Sequence, residues 1–115
     1  MDRIIYKIAT KAQWAEAERA GSFAGAPVDH ADGYIHFSTA AQAKETAAKH
    51  FAGQDDLLLV AADTDGMGEA LKWEVSRGGA LFPHLYAPLS LSAVIWVKAL
   101  PVGPDGTHDF PEMEG

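Results

Sequence analysis

Two short stretches of this chain concentrate side chains that can do chemistry. The first is DGYIHFSTAAQ, from Asp32 to Gln42. Read as a strand, it places Tyr34, His36 and Ser38 on one face and Ile35 and Phe37 on the other, because side chains alternate across an extended backbone. A histidine on the polar face of a strand end suits ligand contact or proton transfer. Its blander role is that of a half-buried sheet residue bonded to a neighbour. Ser38 and Thr39 stand just ahead of a helix whose first amides are unpaired and attract anions. Thr39 with Gln42 also has the spacing of a capping box, in which the threonine serves the helix itself.

The second stretch is KWEVSRGGALFPHLY, from Lys72 to Tyr86. It packs a carboxylate, a guanidinium, an imidazole and a phenol into two extended pieces joined by Gly78 and Gly79. Arg77 beside those glycines can grip a phosphate or carboxylate with its planar fork, while a salt bridge to Glu74 is its structural alternative. Lys72, Glu74 and Ser76 alternate with Leu71, Trp73 and Val75, so Glu74 faces away from Trp73. The prolines after Gly79 exclude a helix, and in an extended course Phe82, His84 and Tyr86 line one face that can stack on a flat ring. A metal held by His36, His84 and Glu74 lacks any close ligand spacing, and no metal is expected. Asp63, Asp65 and Gly66 lack the later ligands of a calcium loop and read as a turn. Dinucleotide-binding, triphosphate-binding and nucleophile-elbow motifs are missing from the sequence.

The elements that must position these residues are legible in outline. Arg3 to Ala9 alternates like a strand, and Thr10 with Gln13 repeats the capping-box spacing before the Ala- and Glu-rich helix Lys11 to Ala20, closed by Gly21. Ser22 to Gly33 has no period and reads as a loop. The helix after Thr39 carries Ala40, Ala43, Ala47 and Phe51 as a stripe of mostly small residues. Leu57 to Ala62 is a continuous apolar run, as expected of a central strand covered on both faces. Ala93 to Leu100 is the last strand, and PVGPDGTHDFPEMEG is Pro/Gly-rich and acidic, the composition of a loose tail. The order of elements predicts an α+β class, with a mostly antiparallel or mixed, split sheet and two main helices. The expected organisation is a single domain over residues 1–101 and a tail over 102–115.

Composition sets the outer limits. The chain has 115 residues, a formal net charge of -7 and no cysteine. That length sustains one core without a metal or disulfide staple, and the absence of cysteine removes thiolate metal sites and Cys nucleophiles. The acidic balance repels a phosphate backbone, so nucleic acid is not an expected partner. The apolar run at the start breaks at Lys7, unlike a signal peptide, and no stretch has the length of a membrane span. A cytoplasmic monomer with no membrane partner is the expectation.

At the two constellations the sequence resembles the bacterial family catalogued as domain of unknown function 952. The resemblance runs from IYKI at Ile5 to Ile8, through Trp14, DGYIHFSTAAQ and HFAGQDDLLLV, to LKWEVSRGGALFPHLYAPL, and leaves out the tail after Pro101. It implies a small α+β domain with a fold similar to ADP-ribosyltransferases, which bind NAD in a cleft between two small sheets. By that likeness His36, Ser38 and Thr39 match a second-strand motif and Glu74 a later catalytic carboxylate, while the opening strand departs by carrying Lys7, which has no acceptor lone pair. The resemblance makes NAD a candidate substrate, with His36 and Glu74 catalytic and Ser38, Thr39, Arg77, His84 and Tyr86 binding a nucleotide-like small molecule. The alternative is a non-catalytic metabolite-binding or regulatory module. A third is a structural network of His36, Glu74, Arg77 and His84.

Overall fold

A computed structural model of the chain describes residues 2–114. The elements run β1 (Ile4–Thr10), α1 (Lys11–Ala20), β2 (Ser22–Phe23), α2 (Pro27–Asp32), β3 (Ile35–His36), α3 (Ala40–His50), β4 (Leu57–Asp63), β5 (Leu71–Val75), β6 (Leu81–Leu85), β7 (Leu89–Ser90) and β8 (Val94–Ala99). The domain is α+β, with two three-stranded sheets ordered β1-β4-β8 and β3-β6-β5 and a small β2-β7 pair, all ladders antiparallel.

Among the described residues one backbone bridge joins the two larger sheets. Tyr6 of β1 and Ser38, just past β3, exchange both backbone hydrogen bonds at 2.8 Å. Beside that rung a cleft opens, lined from β1, β3, β6 and α3.

Strand alternation divides the interior into two cores. On one face of β1 and β4, Ile5, Ala9, Val60 and Ala62 pack with Trp14 and Ala17 of α1 and with Ile35, Phe37 and Leu85 from the back of the other sheet. On the opposite face Tyr6, Ile8, Leu57, Leu59 and Ala61 pack against Ala47 of α3, with Phe51 and Trp96 alongside. The small residues of α3 let that helix lie close to the sheet. Its start and that of α1 are fixed by the capping boxes Thr39/Gln42 and Thr10/Gln13, each with both reciprocal bonds formed. As the apolar run implies, β4 is the central strand of its sheet.

Among the described residues there are three α-helices, one more than the sequence predicts. The additional one is α2, inside the segment expected to be a loop. Pro27 occupies its first turn, and Asp29 Oδ2 accepts the Ala26 N–H at 2.7 Å, satisfying an amide that the helix start leaves unpaired. Six residues are too few to show a helical period, so no pattern in the sequence announces it.

The acidic segment after Pro101 lies against the domain rather than loose. Val102 bridges His108, the Tyr6 hydroxyl donates to the Glu114 carbonyl at 2.5 Å, and Phe110 and Met113 pack on the Tyr6–Leu57–Leu59 core. Phe110 and Met113 supply the anchor that the composition of the whole segment conceals. Among the described residues no helix is long and apolar enough to cross a membrane.

Candidate functional site

Strand pairing brings the two chemically rich stretches onto one face. His36 of β3 stands opposite His84 of β6, which stands opposite Lys72 of β5, and Glu74 stands opposite Phe82. The rings of this face are in mutual contact. Tyr34 stacks on His84 with centroids 4.1 Å apart and leans on His36 at 4.6 Å and on Tyr86 at 5.2 Å. This face forms one wall of a cleft of ≈ 500 Å³, lined also by Tyr6, Lys7 and Ile8 of β1 and by Thr46, His50 and Phe51 of the α3 side. A space of that size accommodates a nucleoside-sized ligand.

Two separate hydrogen-bond networks hold the histidines. The first centres on Asp29, whose carboxylate is almost completely buried, with 1% of its side chain exposed. Lys7 Nζ donates to it at 3.0 Å, the His36 amide at 3.1 Å and the Ala26 amide at 2.7 Å, and His36 Nδ1 lies at 2.6 Å. The far side of the His36 ring, Nε2, lies 2.8 Å from Asp32. A neutral imidazole carries one N–H, so both bonds of the ring to ionised carboxylates form together only when it carries two protons. Burial pushes the Asp29 carboxyl up, but the His36 bond, the Lys7 charge and the Ala26 amide outweigh it and hold the group well below the usual carboxylate range. Burial lowers Lys7, and Asp29 opposes that shift in part.

The second network runs from Tyr86 through Glu74 to His84. The Tyr86 hydroxyl donates to Glu74 Oε1 at 2.7 Å, and His84 Nδ1 lies 2.8 Å from the same oxygen. Those two bonds, that of Tyr86 first, lower the Glu74 carboxyl. The Tyr86 phenol is pushed up to about 12, chiefly because its proton is held by Glu74.

The sequence-predicted residues therefore separate. His36, Ser38 and His84 line the cleft, whereas Glu74 and Tyr86 stand behind His84 and form no part of its walls. Ser38 is buried and bonded to Thr46 at 2.9 Å. Thr39 spends its hydroxyl on the amide of Gln42, the capping role weighed for it from the spacing. The Arg77 side chain lies outside the described residues. Among the described side chains, which leave out Arg77 as the fourth member of the expected network, His36 is bonded to Asp29 and Asp32 and His84 to Glu74, and the two rings lie edge to face at 5.7 Å. Among the described residues no group of three or more His, Asp or Glu side chains is arranged to hold a metal ion.

Asp29, Asp32, Tyr34 and Lys7 are the residues that sequence reasoning leaves unassigned. Asp32 and His36 are four apart across a turn, and Asp29 follows Pro27 at the spacing of a helix-start carboxylate; both are local signals. The pairing of Lys7 with Asp29 has none, since it joins β1 to α2 only through the folded sheet.

The family model for "Protein of unknown function (DUF952)" matches residues 8–97. The crystal structure of protein CC0527 from Caulobacter crescentus is 51% identical, with a TM-score of 0.88, over 92% of this chain and 93% of that one. The solution NMR structure of CC0527 gives a TM-score of 0.83 at the same identity, over 92% of this chain and 91% of that one. No curated protein matches the chain.

Proposed function

The chain belongs to the DUF952 family, and from the geometry of its cleft we propose that it binds a small, nucleotide-like molecule whose flat ring lies against the face formed by β3 and β6. The observation that carries this reading is the convergence of Tyr34, His36, Phe82 and His84 on one wall of a ≈ 500 Å³ cleft. Aromatic faces supply ring contact, and the imidazoles supply hydrogen bonds that fix orientation. Ser38 and Lys7 add polar atoms to the lining, although Ser38 is bonded to Thr46 and Lys7 to Asp29. On this reading the protein is a cytoplasmic monomer whose partner is a metabolite rather than a membrane or a nucleic acid.

The split pair of antiparallel sheets supports kinship with the ADP-ribosyltransferase fold, and with it a second reading in which NAD is a substrate for glycosidic transfer. One observation favours that reading. Glu74 is kept ionised by its two donors, and its side chain is 39% exposed, so a carboxylate is available near the cleft to stabilise positive charge on a sugar. Its position behind His84 favours binding over transfer.

Incubation of the protein with NAD, followed by proton NMR, separates the readings. Broadening of ligand signals without new resonances is the result expected of a binding module. Released nicotinamide, lost in Glu74→Gln, is the result expected of transfer. Unchanged ligand spectra remove NAD from both.

A further inference from the structure

His84 is the most deeply buried histidine of the cleft, and it is held from one side only. The residue is 4% exposed, stacked under Tyr34, with Nδ1 bonded to Glu74. Glu74 is ionised and can only accept, so Nδ1 carries the proton of the neutral ring. The other nitrogen, Nε2, has no partner among the described residues. No fully buried side-chain nitrogen or oxygen in the described residues lacks a hydrogen bond, so Nε2 keeps access to water. His84 lines the cleft and Glu74 does not, so that access opens into the cleft.

We propose that His84 Nε2 is the hydrogen-bond and proton acceptor of the cleft, that Glu74 and Tyr86 are positioning residues acting through it, and that the ligand presents a hydroxyl or N–H donor beside its ring. The inference rests on the nucleotide-like ligand reading and assigns the donor chemistry that reading leaves open. A nucleoside combines a flat ring with sugar hydroxyls and fits both requirements. When a ligand hydroxyl gives its proton to Nε2, the electron pair stays on the oxygen, and the imidazolium that forms is balanced by Glu74. Tyr86 contributes by holding Glu74 Oε1 in place, since both of its donors converge on one oxygen. His36 is not equivalent, because both of its ring nitrogens are already engaged by Asp29 and Asp32.

Long-range proton–nitrogen correlation spectra of the histidine rings test the assignment in the unliganded protein. With neutral rings, His84 should show a protonated Nδ1 and an unprotonated Nε2, and Glu74→Leu should abolish that preference. Glu74 is partly exposed, so the variant is expected to fold. An Nε2-protonated ring in the parent, or an unchanged ring in Glu74→Leu, overturns the assignment and leaves the ligand reading standing.

Titration with adenosine and with 2′,3′-dideoxyadenosine supplies the second arm. Adenosine should move the His84 Nε2 resonance and bind about tenfold more tightly than the dideoxy compound, the ratio that one hydrogen bond of ordinary strength supports. Equal affinities, with shifts at Tyr34 but none at Nε2, overturn the acceptor role while preserving ring binding. Silence throughout the cleft overturns the acceptor role toward nucleosides together with the nucleoside form of the ligand reading.

Discussion

Asp29 is the residue on which most of the site depends. Its carboxylate joins β1 through Lys7, the start of α2 through Ala26, and β3 through both the amide and the ring of His36. Removing one member of a buried ion pair leaves the other charge stranded, which costs about 3–5 kcal/mol. Lys7→Met is therefore expected to lower stability by that order in urea unfolding. The pH dependence follows from the Asp29 shift. Its folded-state pKa lies below the unfolded value, so the native state holds the proton less tightly. The stability this confers is present above the usual carboxylate range and is lost as pH falls through and below it. Acid titrations of the parent should show that loss, and Asp29→Asn should flatten it while lowering stability at neutral pH. None of this was legible in the sequence, because a lysine in a strand and an aspartate in an apparent loop are each ordinary. Only the fold makes them partners.

The face that carries the candidate site was legible at the level of elements. Alternation placed Tyr34 with His36, Phe82 with His84 and Tyr86, and Lys72 with Glu74, and the ladders unite these sets on one sheet. Capping-box spacing located the starts of α1 and α3. Those signals are local and periodic, so they survive without tertiary context. The short helix α2 and the two-residue strands β2 and β7 offer no period to read. Their positions come from tertiary bonds and from glycines with special backbone angles. Gly25 is such a position, with φ at +117°, and a Cβ there would lie 2.9 Å from the Cβ of Asp29. Gly25→Ala is expected to destabilise by about 1–3 kcal/mol through backbone strain alone, before any displacement of Asp29 is counted. Thermal unfolding gives the magnitude, and the His36 ring resonances show whether Asp29 has moved. A neutral effect with unmoved resonances would mean that the approach to α2 has room for a side chain and no need of a glycine.

For the whole molecule, the C-terminal segment is a structural part of the second core. Phe110 and Met113 pack against the cluster that contains Tyr6, Leu57 and Leu59, and the Glu114 carbonyl receives the Tyr6 hydroxyl. Ending the chain after Pro101 is expected to lower the melting temperature by several degrees, since each kcal/mol lost is worth about 4–8 °C in a domain of this size. An unchanged melting temperature would mean that the segment contributes no net stability. Composition misdirects here because it averages two anchoring side chains into an acidic, proline-rich background. The junction of the sheets carries a different kind of constraint. Tyr6 supplies the backbone rung to Ser38 while its neighbour Lys7 turns inward to Asp29. Adjacent positions of β1 thus have opposite duties, and an insertion or deletion of one residue within Ile4–Thr10 exchanges them, putting the lysine in the second core and the phenol on the aspartate. Length changes elsewhere on the surface can be absorbed by loops, but β1 has a fixed reading frame.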